Sequence, residues 1–118
     1  MNKIAIAIHG GAGPDSEYIK QNFKDYKKGL EEAVNEAYAM LEKGSSAVDA
    51  VETAIKTLED NPLFNAGKGS ALTEDASVEM CSSIMNGFDL KAALLAKHAQ
   101  PPGSSSFPNR VVHHQCGV

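Results

Sequence analysis

Large and small apolar residues alternate at the start of the chain. Ile4, Ile6 and Ile8 alternate with Ala5 and Ala7, so an extended backbone would carry large side chains on one face and small apolar ones on the other. Strands that are apolar on both faces are usually covered on both faces. The alternation therefore predicts a buried β-strand, which a glycine-rich segment then ends.

The next apolar pattern has a helical period. Over 17–43, apolar side chains recur every three or four residues and predict an amphipathic helix, most clearly at Leu30, Ala33, Val34, Ala37, Tyr38 and Leu41. Gly44 follows, as glycine often does past a helix C-terminus. Ser46 stands three residues before Asp49 in a pattern similar to a capping box. A second helix is predicted from there to about Asp60.

A glycine loop and short extended segments follow the second helix. Asn61-Pro62 ends the helix, and the loop itself covers residues 65–70. We then predict two short strands over 70–73 and 77–80. Residues 83–85 either extend the second of these strands or start a third.

The chain is predicted to end in one more helix and a tail. Asp89 can cap a short helix that runs from Leu90 to about His98. Prolines and serines then dominate, and such a composition buries too little apolar surface to offset the entropy lost on ordering. We expect residues 1–98 to form the folded part and residues 99–118 a disordered, flexible tail.

Composition and charge narrow the function classes. The chain has 118 residues, of which 42% are apolar and 22% charged, as is typical of a soluble globular chain with at most one domain. A net charge of -4 and the lack of a Lys and Arg cluster disfavour nucleic acid as a partner. The apolar run at 4–8 is too short for a secretory signal or a membrane span. We expect a cytoplasmic protein without a membrane partner, with Cys81 and Cys116 as reduced thiols.

The glycine clusters do not match the common nucleotide motifs. Gly67-Lys68-Gly69-Ser70 lacks the earlier glycine of a phosphate-binding loop and the Ser or Thr directly after its lysine. His9-Gly10-Gly11 is similar to the oxyanion loop of lipase-like hydrolases, but the chain has no G-x-S-x-G motif. Neither cluster therefore identifies one of these enzyme classes.

Several longer motifs occur together. They are His9-Gly10-Gly11-Ala12-Gly13, Ser46-Ala47-Val48-Asp49-Ala50-Val51-Glu52, Leu58-Glu59-Asp60-Asn61-Pro62-Leu63-Phe64-Asn65-Ala66-Gly67-Lys68-Gly69-Ser70, and Val78-Glu79-Met80 before Ser83-Ile84-Met85-Asn86-Gly87. Their order and approximate spacing resemble those of the isoaspartyl peptidase/L-asparaginase family over roughly residues 3–92. The resemblance implies an α+β fold, namely part of the four-layer αββα sandwich of N-terminal nucleophile hydrolases.

The resemblance also implies a reaction. Enzymes of this family hydrolyse L-asparagine and isoaspartyl peptide bonds with a threonine that self-cleavage frees at the start of a β subunit. Such a nucleophile needs its own free amine as base and donors for the oxyanion. Thr53 and Thr57 lie in the predicted second helix, and Thr73 precedes two acidic residues, so none is a credible nucleophile. We expect a truncated N-terminal part of such a hydrolase that is inactive alone and has no catalytic residue.

The resemblance also implies that the glycine loop supports the active site. In the family this segment wraps a sodium ion with main-chain carbonyls, here those of Leu58, Glu59, Asn61, Phe64, Ala66 and Lys68, and oxygen ligands suit such a hard ion. Asn65 matches an asparagine beside the nucleophile, where its amide can orient catalytic groups. On the residues alone, the loop is also explained as a simple turn that an asparagine initiates. His9 is expected to be a structural hydrogen-bond partner, and no other cofactor is implied.

The chain also departs from the family. Cys81-Ser82 stands where the family usually has Asp-Ala, which removes a charge and its acceptor sites, and the match fails from Ala93 onward. Two alternatives to an inactive fragment stay open: an α-like subunit that needs a separate β-subunit-like chain, or a non-enzymatic module that associates through its sheet edges, for example as a homo-oligomer. A small-molecule substrate is expected only for the full-length family.

Overall fold

The computed structural model describes residues 3–99 and 113–114. These residues form helices α1 (Glu17–Gln21), α2 (Phe23–Glu42) and α3 (Ala47–Asp60), a 3-10 turn (Gly67–Gly69), and strands β1 (Glu79–Met85), β2 (Ala92–Ala99) and β3 (His113–His114). The predicted mixture of helices and strands is therefore confirmed. Within the described part of the chain, no helix is both long enough and apolar enough to cross a lipid bilayer.

Local capping decides where the helices begin and end. The helix predicted over 17–43 is interrupted at Asn22, whose side-chain amide donates a hydrogen bond to the Tyr18 carbonyl. Gly44 ends α2 with a φ of 87°, which is the left-handed geometry expected of a glycine cap. The Ser46 hydroxyl accepts the Asp49 N–H at 3.1 Å and donates to the Asp49 carboxylate at 2.7 Å. The predicted start of α3 is therefore confirmed.

Small side chains join α2 to α3. Alanines occupy the contact between the helices and let the backbones approach closely, and they are buried at Ala33, Ala37, Ala50 and Ala54. Leu58 and Phe64 extend this core towards the end of α3. The loop that follows α3 therefore starts from the core of the molecule.

Residues 4–8 do not form the strand that their alternation predicts. Ile6 and Ile8 pack against the helices, whereas Ala5 and Ala7 are exposed. A strand needs a hydrogen-bonded neighbour, and no described strand pairs with this segment. The prediction was right about which side chains face the core and wrong about the strand and about cover on the second face.

The three strands form one antiparallel sheet in the order β2-β1-β3. The strand predicted at 77–80 is realised in β1, which continues through 83–85. The strand predicted at 70–73 is absent from the described structure. Thr73 instead closes a turn in which its N–H donates to the Ser77 carbonyl at 2.9 Å.

The helix predicted from Leu90 to His98 is wrong, because these residues lie largely in β2. Asp89 accepts the Lys91 N–H at 3.2 Å and so stabilises a turn, in which Leu90 has a φ of 56°. The backbone of β2 pairs with that of β1, and such pairing overrides a weak local preference for helix.

The predicted flexible tail, 99–118, is described only in part. Ala99 ends β2, and β3 pairs with β1. Residues 100–112 and 115–118 lie outside the described residues, so the boundary at residue 98 stays a prediction.

Candidate functional site

The loop after α3 is held to the core by Phe64. This ring is 5% exposed and packs edge-on against Tyr26, with ring centroids 5.6 Å apart. A Cβ atom built on Gly29 would lie 2.9 Å from the Phe64 ring, and one built on Gly10 would lie 3.1 Å from it. The structure therefore brings the first glycine cluster, at Gly10, against the second.

Strand β1 holds the other side of the loop. The Gly67 N–H donates to the Met80 sulfur at 3.3 Å, and the Ser70 hydroxyl lies 3.4 Å from the same atom. Met80 is fully buried. The motifs at 9–13, 58–70 and 78–80 thus meet around one loop. Their separations along the chain did not make this evident.

Two glycines let the loop approach backbone carbonyls. Gly67 has a φ of 58°, and a Cβ there would overlap the Glu59 carbonyl oxygen and lie 2.6 Å from the Glu59 Cβ. A Cβ on Gly69 would overlap the carbonyl oxygens of Phe64 and Pro62. No residue with a side chain fits either position without a shift of the backbone.

The predicted cation ligands lie on one continuous segment, from the last turn of α3 to the 3-10 turn. Four of their carbonyls also accept local backbone N–H groups at 2.9–3.2 Å, namely those of Leu58, Asn61, Phe64 and Ala66. A carbonyl oxygen has two lone pairs, so each can accept such a bond and still face a cation. The oxygens present therefore fit a hard cation chemically.

An ion pair joins the two ends of this segment. The Lys68 Nζ lies 3.0 Å from an Asp60 carboxylate oxygen, and both side chains are about half exposed. An exposed pair of this kind adds little stability, typically about 0–1 kcal/mol. It does, however, compensate the charge of Asp60 at the end of α3.

The side chain of Glu59 is a feature that sequence reasoning missed. Glu59 is 3% exposed, and its Oε1 has no hydrogen-bond partner among the described residues. Burial, together with the charge of Asp60, raises the Glu59 pKa to about 7, although Lys56 opposes the shift. The burial of Glu59 could have been predicted from its position four residues after Ile55, because residues four apart lie on the same face of a helix.

Asn65 and His9 make local hydrogen bonds. The Asn65 Oδ1 accepts the Ala71 N–H at 2.8 Å, which fixes the exit of the loop while Asn65 itself stays exposed. The His9 Nδ1 accepts the Gly11 N–H at 3.2 Å, which confirms the expected structural hydrogen bond. The catalytic orienting role of Asn65 stays a prediction.

The two residues that depart from the family lie on β1. Cys81 is disulfide-bonded, so the prediction of a reduced thiol is wrong there, and Cys116 lies outside the described residues. Ser82 is 1% exposed, and its hydroxyl has no hydrogen-bond partner in the described part of the chain. β1 therefore carries no carboxylate at either position.

Other regions offer weaker chemistry. A cavity of about 350 Å³ lies on the β1–β2 hairpin and is lined by Ser83, Ile84, Met85, Ala92, Ala93 and Leu94. None of these side chains titrates. Over residues 3–99 and 113–114, no group of three or more His, Cys, Asp and Glu residues is arranged to hold a metal ion. Among the described residues, the loop after α3 is therefore the best candidate for a functional site.

Comparison with known proteins gives consistent matches. The family described as Asparaginase matches residues 2–98. A plant-type L-asparaginase from Pyrococcus abyssi is 50% identical over 93 residues, which cover 79% of this chain and 30% of that protein. The isoaspartyl peptidase/L-asparaginase of Homo sapiens is 46% identical over 96 residues, which cover 81% of this chain and 30% of that protein. The chain thus spans about 30% of the length of these curated relatives.

Proposed function

The chain belongs to the isoaspartyl peptidase/L-asparaginase family, and we propose that it supplies the N-terminal scaffold of such a hydrolase without the nucleophile. The observation that carries this proposal is the loop after α3, where Gly10, Phe64, Gly67 and Met80 from three matched motifs meet. A scaffold needs this convergence, whereas an isolated turn does not.

The positions of the threonines support the second half of the proposal. Thr53 and Thr57 lie within α3, and the Thr73 hydroxyl is engaged in a turn with Asp75 and Ser77. A threonine nucleophile of this class needs its own free α-amine as base. None of these three residues meets that condition, so hydrolysis requires a threonine from another polypeptide segment.

The proposal includes the fold and the ion that the family resemblance implies. In a complete αββα sandwich, α2 and α3 would form part of an outer layer and the hairpin of β1 and β2 part of an inner one. The carbonyls of the loop would hold a sodium ion, for which the support is chemical: glycines that admit close carbonyls and oxygen ligands that suit a hard ion. The bound ion would fix the loop and, with it, Asn65.

Ammonia release tests the function of the chain alone. The purified chain is incubated with L-asparagine and, separately, with a β-aspartyl dipeptide, and ammonia or the freed amino acid is measured. We expect no release above the rate of a heat-denatured sample. Hydrolysis by the chain alone that survives repurification would refute the proposal, because a nucleophile would then lie within these residues.

A second candidate function is association with a complementary chain. The β1–β2 hairpin exposes four large apolar side chains, namely Met85 at 57%, Phe88 at 95%, Leu90 at 69% and Leu94 at 76%. Apolar side chains exposed along one hairpin are suited to cover by another polypeptide. Because the matched relatives are about three times longer than the matched region, we propose that the partner is the remaining part of the same family domain, supplied as a β-subunit-like chain.

Size-exclusion chromatography tests this association. The chain is mixed with the unmatched part of the Pyrococcus abyssi relative, and co-elution is expected. Replacing Phe88 and Leu94 by serine should abolish co-elution, whereas replacing the exposed Tyr18, which lies on α1, should not. Separate elution of the two polypeptides would rule out the β-subunit-like partner. Self-association of the chain alone would favour a homo-oligomer instead.

A further inference from the structure

The C-terminal end of α3 concentrates negative charge. Its last two residues are Glu59 and Asp60, and its last turn contains no basic residue. The C-terminus of a helix carries a partial negative charge, which favours cations and disfavours carboxylates. Two carboxylates there therefore require compensation from outside the helix.

Lys68 compensates only one of these carboxylates. Its Nζ pairs with Asp60 at 3.0 Å, whereas the Oε1 of Glu59 is buried and has no hydrogen-bond partner among the described residues. A buried carboxylate without a partner is costly, and buried charges in proteins are normally paired or bind metals. Among the described residues, Lys56 is near enough for its charge to act on Glu59, but its Nζ is paired with Glu52 at 2.6 Å.

Glu59 adjoins the cradle of carbonyls in the same loop. Both its carbonyl oxygen and its Cβ face Gly67, so closely that a Cβ on that glycine would overlap the oxygen. The end of α3 and the glycine-lined carbonyls thus meet at Gly67, and the Glu59 side chain leaves the backbone there. Each of the three features independently favours a positive charge there.

We propose that the Glu59 carboxylate is the counter-charge for a hard cation held by the carbonyls of the Leu58–Lys68 segment. Carbonyl ligands alone are neutral and leave the full charge of the ion uncompensated in a partly desolvated loop. A carboxylate adjacent to a monovalent ion neutralises its charge and strengthens its binding. This role rests on the proposed cation site and adds a side chain to a ligand set that otherwise consists of backbone atoms.

The test compares cation binding by three proteins. The wild-type chain, Glu59→Gln and Glu42→Gln are titrated with NaCl, KCl and CaCl₂ by calorimetry, and their thermal unfolding is followed against choline chloride of equal ionic strength. Glu42 is the matched control, because it is likewise a glutamate in the last turn of a helix but is exposed. Activity is not needed for either readout.

We expect NaCl to bind to the wild-type chain and to raise its unfolding temperature above that in choline chloride. Glu59→Gln should raise the dissociation constant at least about tenfold. In choline chloride it should unfold at or above the wild-type temperature, because an uncompensated buried charge is gone. Glu42→Gln should bind like wild type. A purely structural role of Glu59 would change the unfolding temperature equally in every salt.

Two outcomes would overturn the proposal in distinguishable ways. Equal affinity of Glu59→Gln and wild type would refute the role of Glu59 while leaving the cation site in place. Absence of cation binding by wild type would refute the site itself. If Glu59→Gln fails to fold, carbon-13 NMR of the wild-type glutamate carboxyls decides the question: the Glu59 signal should shift on cation addition, and an unchanged signal would refute the proposal.

Discussion

Replacing Gly67 by alanine tests the packing of the loop against α3. The change adds a Cβ at a φ of 58°, which costs an L-residue about 1–2 kcal/mol. The new atom would also overlap the Glu59 carbonyl oxygen and lie 2.6 Å from the Glu59 Cβ and 2.9 Å from its carbonyl carbon. These neighbours belong to the end of a helix and cannot rotate away, so overpacking adds about 1–3 kcal/mol. We expect a total loss of about 2–5 kcal/mol in the free energy of unfolding.

Urea unfolding followed by far-UV circular dichroism measures this loss. Gly44→Ala is the first control, because Gly44 has a φ of 87° but a Cβ placed on it would have no other atom within 4 Å. It should show the backbone cost alone, about 1 kcal/mol. Gly13→Ala, where a Cβ also meets open space, should lose less than about 0.5 kcal/mol. The account of the loop would be refuted if Gly67→Ala cost no more than Gly44→Ala.

Three further predictions concern single side chains. Glu59 has a pKa of about 7 in the fold and 4.5 in the unfolded chain, so above pH 4.5 the unfolded chain releases this proton before the folded chain does. In buffer without metal cations, the free energy of unfolding should therefore fall by about 3 kcal/mol between pH 4.5 and 7. Urea unfolding at a series of pH values should show this fall in wild type and not in Glu59→Gln. Asn65→Ala should lose about 1 kcal/mol of unfolding free energy with its bond to Ala71, whereas Asn65→Asp, which keeps the acceptor, should lose less; equal losses would contradict this bond. Leu90→Gly should raise the unfolding temperature, because glycine removes the cost of about 1 kcal/mol that a left-handed conformation imposes on the exposed Leu90. A lower unfolding temperature would show that this strain is absent.

The helices could be predicted because their signals are local. The period of apolar residues placed α2 and α3, and Gly44 and Ser46 fixed the boundary between them through bonds within a few residues. The break at Asn22 was missed because no glycine or proline marks it. Where a helix is specified by its own turns and caps, sequence patterns suffice.

The strands could not be predicted as well because they depend on distant partners. Residues 4–8 have the alternation of a strand but no pairing neighbour among the described strands. Residues 92–99 have a weak helical spacing but pair with β1 along most of its length. The presence or absence of a pairing strand decided both cases, and neither segment contains that information.

For the candidate site, the glycine loop could be predicted from the sequence, but the buried charge of Glu59 could not. The glycines marked the loop, since Gly67 and Gly69 occupy positions that exclude a side chain. The burial of Glu59 arises from the way the loop folds back over the end of α3, which the pattern along the helix only suggests. The role of the six carbonyls and that of Asn65 stay predictions.

Complementation of hydrolysis tests whether this chain supplies the scaffold of the enzyme. The chain is combined with the unmatched part of the Pyrococcus abyssi L-asparaginase, and ammonia release from L-asparagine is measured for each polypeptide and for the mixture. We expect release by the mixture only, and its loss when Phe88 and Leu94 are replaced by serine. Release by this chain alone, or a mixture that co-elutes and is correctly processed yet stays inactive, would contradict the claim that these residues supply the scaffold and the partner supplies the nucleophile.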